Sequence, residues 1–280
     1  MLPSSPFNMI LVDAHVHIYD CFDIVRFLDY AIGNFKYEAQ NQKVKNFSAF
    51  LLLTESNGSI WFPRLQEYIC SKKQIGNWSF LSTSEKITLR ASHKQDGDLF
   101  IVAGRQIVTA ERLEVLALAT DKDFPDEQPL INTVAAVKSA NAIPVIPWAP
   151  GKWMGKRGEI LRDFLQFHRN KGFFVGDNGG RPIFWPAPTL FDSARVKGIK
   201  ILPGSDPLPL PSEVYRVGSF GFIINQKTDG TVSAEQLKQM LYSEDCSISS
   251  YGKLLSPYSF FSNQLRIRLY ASKMEPKSLP

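Results

Sequence analysis

The residues with the clearest chemical content are Asp13-Ala14-His15-Val16-His17. They follow Met9 to Val12, a short apolar run that reads as a buried strand. Side chains two apart on a strand share a face. His15 and His17 can therefore offer two imidazoles to one metal ion, with Asp13 on the same side. Two strand histidines can also do no more than satisfy local hydrogen bonds. A carboxylate, Asp206, stands in Gly204-Ser205-Asp206-Pro207, directly after a strand predicted at Ile199 to Leu202. It can be a metal ligand or a general base, or cap the following turn. Asp177 lies in Gly176-Asp177-Asn178-Gly179-Gly180-Arg181-Pro182, a tight loop after Phe173 to Val175. The glycines let that loop approach a ligand, with Asp177 as a ligand or base and Arg181 as an anion receptor; an ordinary turn is the alternative.

Two more strand ends carry candidates. Thr54-Glu55-Ser56-Asn57 follows the apolar run Phe47 to Leu53, and Glu55 can be a ligand, a helix cap or a solvated acid. Pro147-Trp148-Ala149-Pro150-Gly151-Lys152-Trp153 follows Ile143 to Ile146. Its tryptophans and lysine suit an aromatic-lined pocket with one charge, or plain packing of the loop. Arg105, Lys152, Arg181 and Arg216 fall in or beside predicted loop ends, where they can meet a phosphate or carboxylate, with Trp148 beside them. His93 and His168 have no motif around them.

These residues need elements to position them. Helical spacing marks Phe22 to Ile32, Ile60 to Ile69, Leu130 to Ala140, Gly158 to Asn170, Thr189 to Lys197 and Val232 to Tyr242. Trp78 to Leu81, Ile87 to Ala91, Asp98 to Val108 and Leu113 to Leu118 read as a strand-rich insertion, and Val217 to Ile224 as a late strand. From Gln128 strand and helix alternate, which predicts parallel βα units. The expectation is α/β, a barrel or an open parallel sheet whose strand C-termini form the active face. Pro203 to Pro211 is proline-dense and predicts a rigid loop, and the last ten residues read as a loose tail. One domain over residues 1–280 is expected, with a core at about 9–224 and an extension at 225–280.

Composition narrows the function classes. The chain has 280 residues, 44% hydrophobic and 21% charged, which excludes a disordered chain. No apolar run is long enough for a membrane span. The start of the chain lacks the basic residues and long apolar core of a signal peptide. Cys21, Cys70 and Cys246 are far apart and form neither a disulfide framework nor a metal knuckle, so a reducing cytoplasm is expected. The net charge of +5 comes from scattered residues. That gives nucleic acid little support and suits a small anionic substrate. No glycine-rich phosphate loop and no nucleophile elbow is present.

In order, these strand ends resemble the PHP (polymerase and histidinol phosphatase) family and, more loosely, the amidohydrolase-like metal-dependent hydrolases. DAHVH matches the opening DxHxH of both. Residues 54 to 57 stand where PHP proteins carry Thr-Asp-His. AGRQIVTAERLEVLAL, 103 to 118, resembles the segment with a metal-binding glutamate after a glycine. IPVIPW, 143 to 148, stands at a His-Pro position, and GSDPLPLPSEVYRVGSFG, 204 to 221, resembles the closing Gly-Ser-Asp-x-His segment. The resemblance spans about residues 9 to 224. It implies a distorted TIM-like (βα) barrel of seven or eight strands and a metal-dependent phosphoesterase. Gln106, Ser56, Trp148 and Leu208 stand where the pattern has ligands. His15, His17 and Asp206 carry over, with Glu55 and Asp177 as substitutes. The set implies one divalent metal (zinc, manganese or iron) held by two imidazoles and one or two carboxylates, or a site that has lost its metal. The two functions implied are a hydrolase of an anionic small molecule and a degenerate barrel that binds a ligand or partner.

Overall fold

The computed structural model describes residues 8–168, 172–226 and 232–274. In chain order the elements are β1 (Asn8–Val16), α1 (Ile24–Asn41), β2 (Phe47–Leu53), α2 (Trp61–Cys70), β3 (Gln74–Ile75), β4 (Trp78–Ser82), β5 (Thr88–His93), β6 (Gly97–Val102), β7 (Gly104–Val108) and β8 (Glu114–Leu118). There follow α3 (Leu130–Ser139), β9 (Ile143–Pro147), α4 (Gly155–Phe167), β10 (Phe174–Asn178), α5 (Thr189–Val196), β11 (Ile201–Gly204), a 3-10 turn (Pro211–Arg216), β12 (Phe220–Gln226), α6 (Ala234–Tyr242), β13 (Ile248–Gly252) and α7 (Pro257–Met274).

The strands form two open sheets. One has eight strands in the order β13-β12-β1-β2-β6-β5-β4-β3, the other five in the order β11-β10-β9-β8-β7. β1, β2 and β6 run parallel, as do β9, β10 and β11, while β12 is antiparallel to β1 and β7–β8 is a hairpin antiparallel to β9. Among the described residues the expected ring of seven or eight strands is thus not closed by hydrogen bonds. There a single bridge, Glu55 to Arg105, links the end of β2 to β7. At the other junction β11 carries Pro203, which has no N–H to donate.

Burial explains the layers. Ile10, Val12, Phe50, Leu52, Leu116, Val145, Leu202 and Phe222 come from both sheets and make one cluster, which Leu237 and Leu241 of α6 close. Alternate residues of β1 and β2, such as Leu11 and Leu51, pack instead against Phe27, Leu28 and Phe35 of α1. On the second sheet Val175 and Ile146 meet Leu161, Phe164 and Phe191 of α4 and α5. Strands buried on both faces read as continuous apolar runs, which is why β1, β2 and β9 are visible in the sequence.

Two expectations change. The single strand predicted over Asp98 to Val108 is two strands in different sheets, broken at Ala103. Just past the break, glycine at 104 lets β7 approach β2: a Cβ there would lie 2.2 Å from the Leu53 carbonyl oxygen. The C-terminal region contains β13 and the long helix α7. The tail expected over the last ten residues is helical as far as Met274, and residues 275–280 lie outside the described residues, as does Asn170, the expected end of α4.

Candidate metal centre

The site begins with an irregularity in β1. Asp13 pairs with Leu51 and Val16 with Leu53, so one extra residue sits between them. Such a bulge re-aims side chains. Ala14 belongs to the cluster between the sheets, whereas Val16 packs on the α1 side. The parity of the strand therefore flips, and it separates Asp13 from the two histidines.

Asp13 is fully buried and fastens backbone. Its Oδ1 accepts from Ser205 N at 2.8 Å and from His15 N at 3.3 Å, and its Oδ2 accepts from Gly218 N at 2.8 Å. Burial pushes its carboxyl up to about 6 against these bonds. The segment after β11 is further tied by Asp206 N, which donates to His15 O at 2.8 Å. β11 can come this close because residue 204 is glycine: a Cβ there would stand 2.3 Å from His15 N. Asp206 follows in the left-handed region, φ 45°.

Among the described residues, His15, His17 and Asp206 form the one group with metal-ligand geometry. His15 Nε2 and His17 Nε2 are 3.1 Å apart, and each is 3.6 Å from Asp206 Oδ1. Gln106 Oε1 lies 3.2 Å from His15 Nε2. A tetrahedral ion with bonds near 2.0–2.1 Å spaces its donors about 3.3 Å apart. The residues present therefore fit a divalent cation held by two imidazoles and one carboxylate, with the Gln106 amide oxygen as a neutral fourth donor. Burial, with the His15 imidazole next, lowers His17 to about 4. Its ring is then neutral near pH 7, the form that ligates. His15 Nδ1 is buried without a hydrogen-bond partner among the described residues.

A surrounding layer orients these side chains. Asp206 Oδ2 accepts a short hydrogen bond from Asn178 Nδ2, and Asn178 Oδ1 accepts from Gly180 N at 2.5 Å. Thr54 Oγ1 is 3.4 Å from His17 Nε2. The Tyr19 ring stacks on His17 with centroids 5.5 Å apart, and burial raises its phenol above the usual value. Beside His17 and Tyr19 a cleft of about 210 Å³ runs toward Trp61 and Arg64.

The other candidates are placed elsewhere. Glu55 is 3% exposed and ion-paired with Arg105, while its Oε1 accepts from Phe62 N at 3.0 Å in the first turn of α2. Arg105 also donates to Asp123 at 2.8 Å. Asp177 is held by Arg181 through two bonds, 3.0 and 2.8 Å, so these two satisfy each other. Lys152 pairs with Glu114 at 3.0 Å. Trp148 is buried, edge-on to Trp185. Arg216 is buried behind the site against Glu213 and the Ser205 carbonyl. Asn178 and Tyr19 are site residues that the sequence reading did not single out as functional, and Gln106 figured there only as a departure from the family pattern. Strand alternation carried the signal for Asn178, since residues 177 and 178 must face opposite ways. The resemblance marked the place of Gln106 as that of a glutamate ligand, but nothing in the sequence marked its amide oxygen as a donor.

No family model matches the chain, and no curated protein matches it. Among solved structures it is similar to PsfC from Pseudomonas syringae PB-5123, at 16% identity and a TM-score of 0.56, over 94% of this chain and 99% of PsfC. That likeness shows a shared fold. It is also similar to the lesion-specific endonuclease PfuEndoQ from Pyrococcus furiosus, at 10% identity and a TM-score of 0.46, over 86% of this chain and 57% of that one. A two-domain protein from Bacteroides vulgatus ATCC 8482, described as containing a predicted PHP-like metal-dependent phosphoesterase, matches at 11% identity and a TM-score of 0.44, over 92% of this chain and 69% of that one.

Proposed function

We propose that the chain is a metal-dependent hydrolase of PHP type on an opened TIM-like barrel, folded as one domain, acting on a phosphoester or a similar small anion. The observation that carries this reading is the convergence of His15, His17 and Asp206. They come from the ends of two strands far apart in sequence, and Asp13 holds those ends together. When bound, a divalent cation supplies Lewis acidity and makes water available as hydroxide near neutral pH. His15, His17, Asp206 and Gln106 would hold it. Asn178 fixes which Asp206 oxygen faces the imidazoles. Tyr19, protonated at neutral pH, can donate a hydrogen bond to an anionic group beside His17. Arg64 at the far end of the cleft pairs with Asp20 at 2.8 Å and lies over Trp61, where it can exchange one anionic partner for another.

The test is hydrolysis of a panel of small phosphomonoesters and phosphodiesters, with a DNA duplex as the opposing class, with and without zinc, manganese or iron. The reading requires a turnover that depends on added metal and is lost in the H15A/H17A variant. Activity that survives in that variant contradicts it. The second reading, a barrel that binds a ligand without catalysis, is favoured by one observation: the fourth donor is the neutral Gln106 rather than a carboxylate. It requires ligand-induced thermal stabilisation with no hydrolysis.

A further inference from the structure

Behind the candidate metal centre lies a buried charged chain of contacts that the reaction itself does not use. Arg216 and Glu213, on the 3-10 turn, and Asn263, on α7, are 4%, 3% and 6% exposed. Asn263 Nδ2 donates to Glu213 Oε1 at 3.0 Å. Glu213 Oε2 and Arg216 Nε are 3.6 Å apart, and neither has a hydrogen-bond partner among the described residues. Arg216 Nη2 donates to Ser205 O at 3.4 Å. The same nitrogen would lie 2.9 Å from a Cβ on Gly179. One guanidinium therefore lies against two segments at once, the loop that bears Asp206 and the turn that follows Asn178 at the end of β10. These two residues share the short bond that orients the Asp206 carboxylate.

We infer that Arg216 is a positioning residue for the metal centre, and that α7 holds it there through Asn263 and Glu213. The inference rests on the metal-site reading above. A buried arginine is costly to keep. Its placement against both segments, buried and outside the cleft beside His17, gives it work that a substrate contact would not explain. It fixes the Ser205 carbonyl, and so the left-handed turn at Asp206. Groups that orient ligands in this way typically change metal affinity by 10–100-fold when removed. It also assigns a role to the C-terminal helix, whose Asn263 is the far end of the chain of contacts. Arg266 Nη1 adds a second tie, donating to Ser212 Oγ at 3.1 Å.

The experiment compares the full-length protein with E213Q/R216M, which removes both charges and leaves neither buried alone. R216K keeps a donor for Ser205 O, and R195Q, in an exposed pair on α5, is the control. Two readouts are taken. One is the set of imidazole nitrogen NMR signals of His15 and His17 in metal-free protein. The other is the cobalt(II) affinity from its visible absorption. The expected result is displaced imidazole signals and affinity about tenfold weaker in E213Q/R216M, partial recovery in R216K, and no change in R195Q. Native imidazole signals with cobalt affinity within about twofold in folded E213Q/R216M overturn the inference. If the unmodified protein takes up no cobalt, the metal reading fails, and the imidazole signals alone decide the role of Arg216.

Discussion

Replacing Asp13 with Asn is the perturbation that most directly probes how the site is assembled. The carboxylate accepts Ser205 N and Gly218 N on different oxygens, each at 2.8 Å. Asparagine has the same shape but only one acceptor oxygen, so its amide N–H₂ must face one of those backbone N–H groups. A buried donor left unsatisfied costs about 1–3 kcal/mol, and a lost bond to a charged acceptor about 1.5–3 kcal/mol. Against this, the substitution removes the cost of burying a charge, the same cost that pushes Asp13 up to about 6. That cost is about 3 kcal/mol, so the net loss is about 1–3 kcal/mol, or roughly 2–6 °C in melting temperature for a chain of this length. Urea unfolding of metal-free protein at pH 7 measures it. D13N should also weaken metal binding, because Ser205 precedes Asp206 on the loop that Asp13 fastens. A D13N protein within about 0.5 kcal/mol of the parent, with unchanged metal affinity, refutes the reasoning.

The remaining predictions concern single contacts. G204A should lower stability by about 1–3 kcal/mol or more and abolish metal uptake, because its Cβ would stand 2.3 Å from His15 N; a G204A protein that binds metal normally disproves the close approach of β11 to β1. Q106E should tighten divalent binding about tenfold, since it puts a charge where the amide oxygen lies 3.2 Å from His15 Nε2; unchanged affinity removes Gln106 from the donor set. Glu85 caps α6 by accepting from Ala234 N and Glu235 N at 2.9 Å each. Burial alone would raise its carboxyl, but those amides outweigh it and hold it below 4.5. The stabilisation is therefore present above pH 4.5 and lost as pH falls through the lowered value. E85Q should cost about 0.5–2 kcal/mol at pH 7 and flatten that acid limb in urea titrations; an acid limb identical to the parent's contradicts the cap.

How much of this was legible in the sequence follows from which signals are local. The apolar runs of β1, β2 and β9 and the helical spacing of α3 and α5 mark those elements directly, because burial on one or two faces dictates residue type locally. His15, His17 and Asp206 stood out because each lies at or just past the end of a strand. The bulge in β1 did not, since pairing register is a property of two strands. It is what diverts Asp13 from the imidazoles to the amides of Ser205 and Gly218. Glu55 and Asp177 looked like ligands because charge at a strand end is visible in a sequence, whereas their partners Arg105 and Arg181 are chosen by packing. The split of β6 from β7 was hidden for the same reason: Gly104 is demanded by the approach of Leu53, from a different part of the chain.

The central claim is that His15, His17 and Asp206 hold one divalent ion. Elemental analysis of protein purified without a histidine tag, beside H15A/H17A, tests it most directly. The parent protein should carry about one equivalent of zinc, manganese or iron and the variant none. No metal in either protein, even after incubation with excess divalent ions, would contradict it.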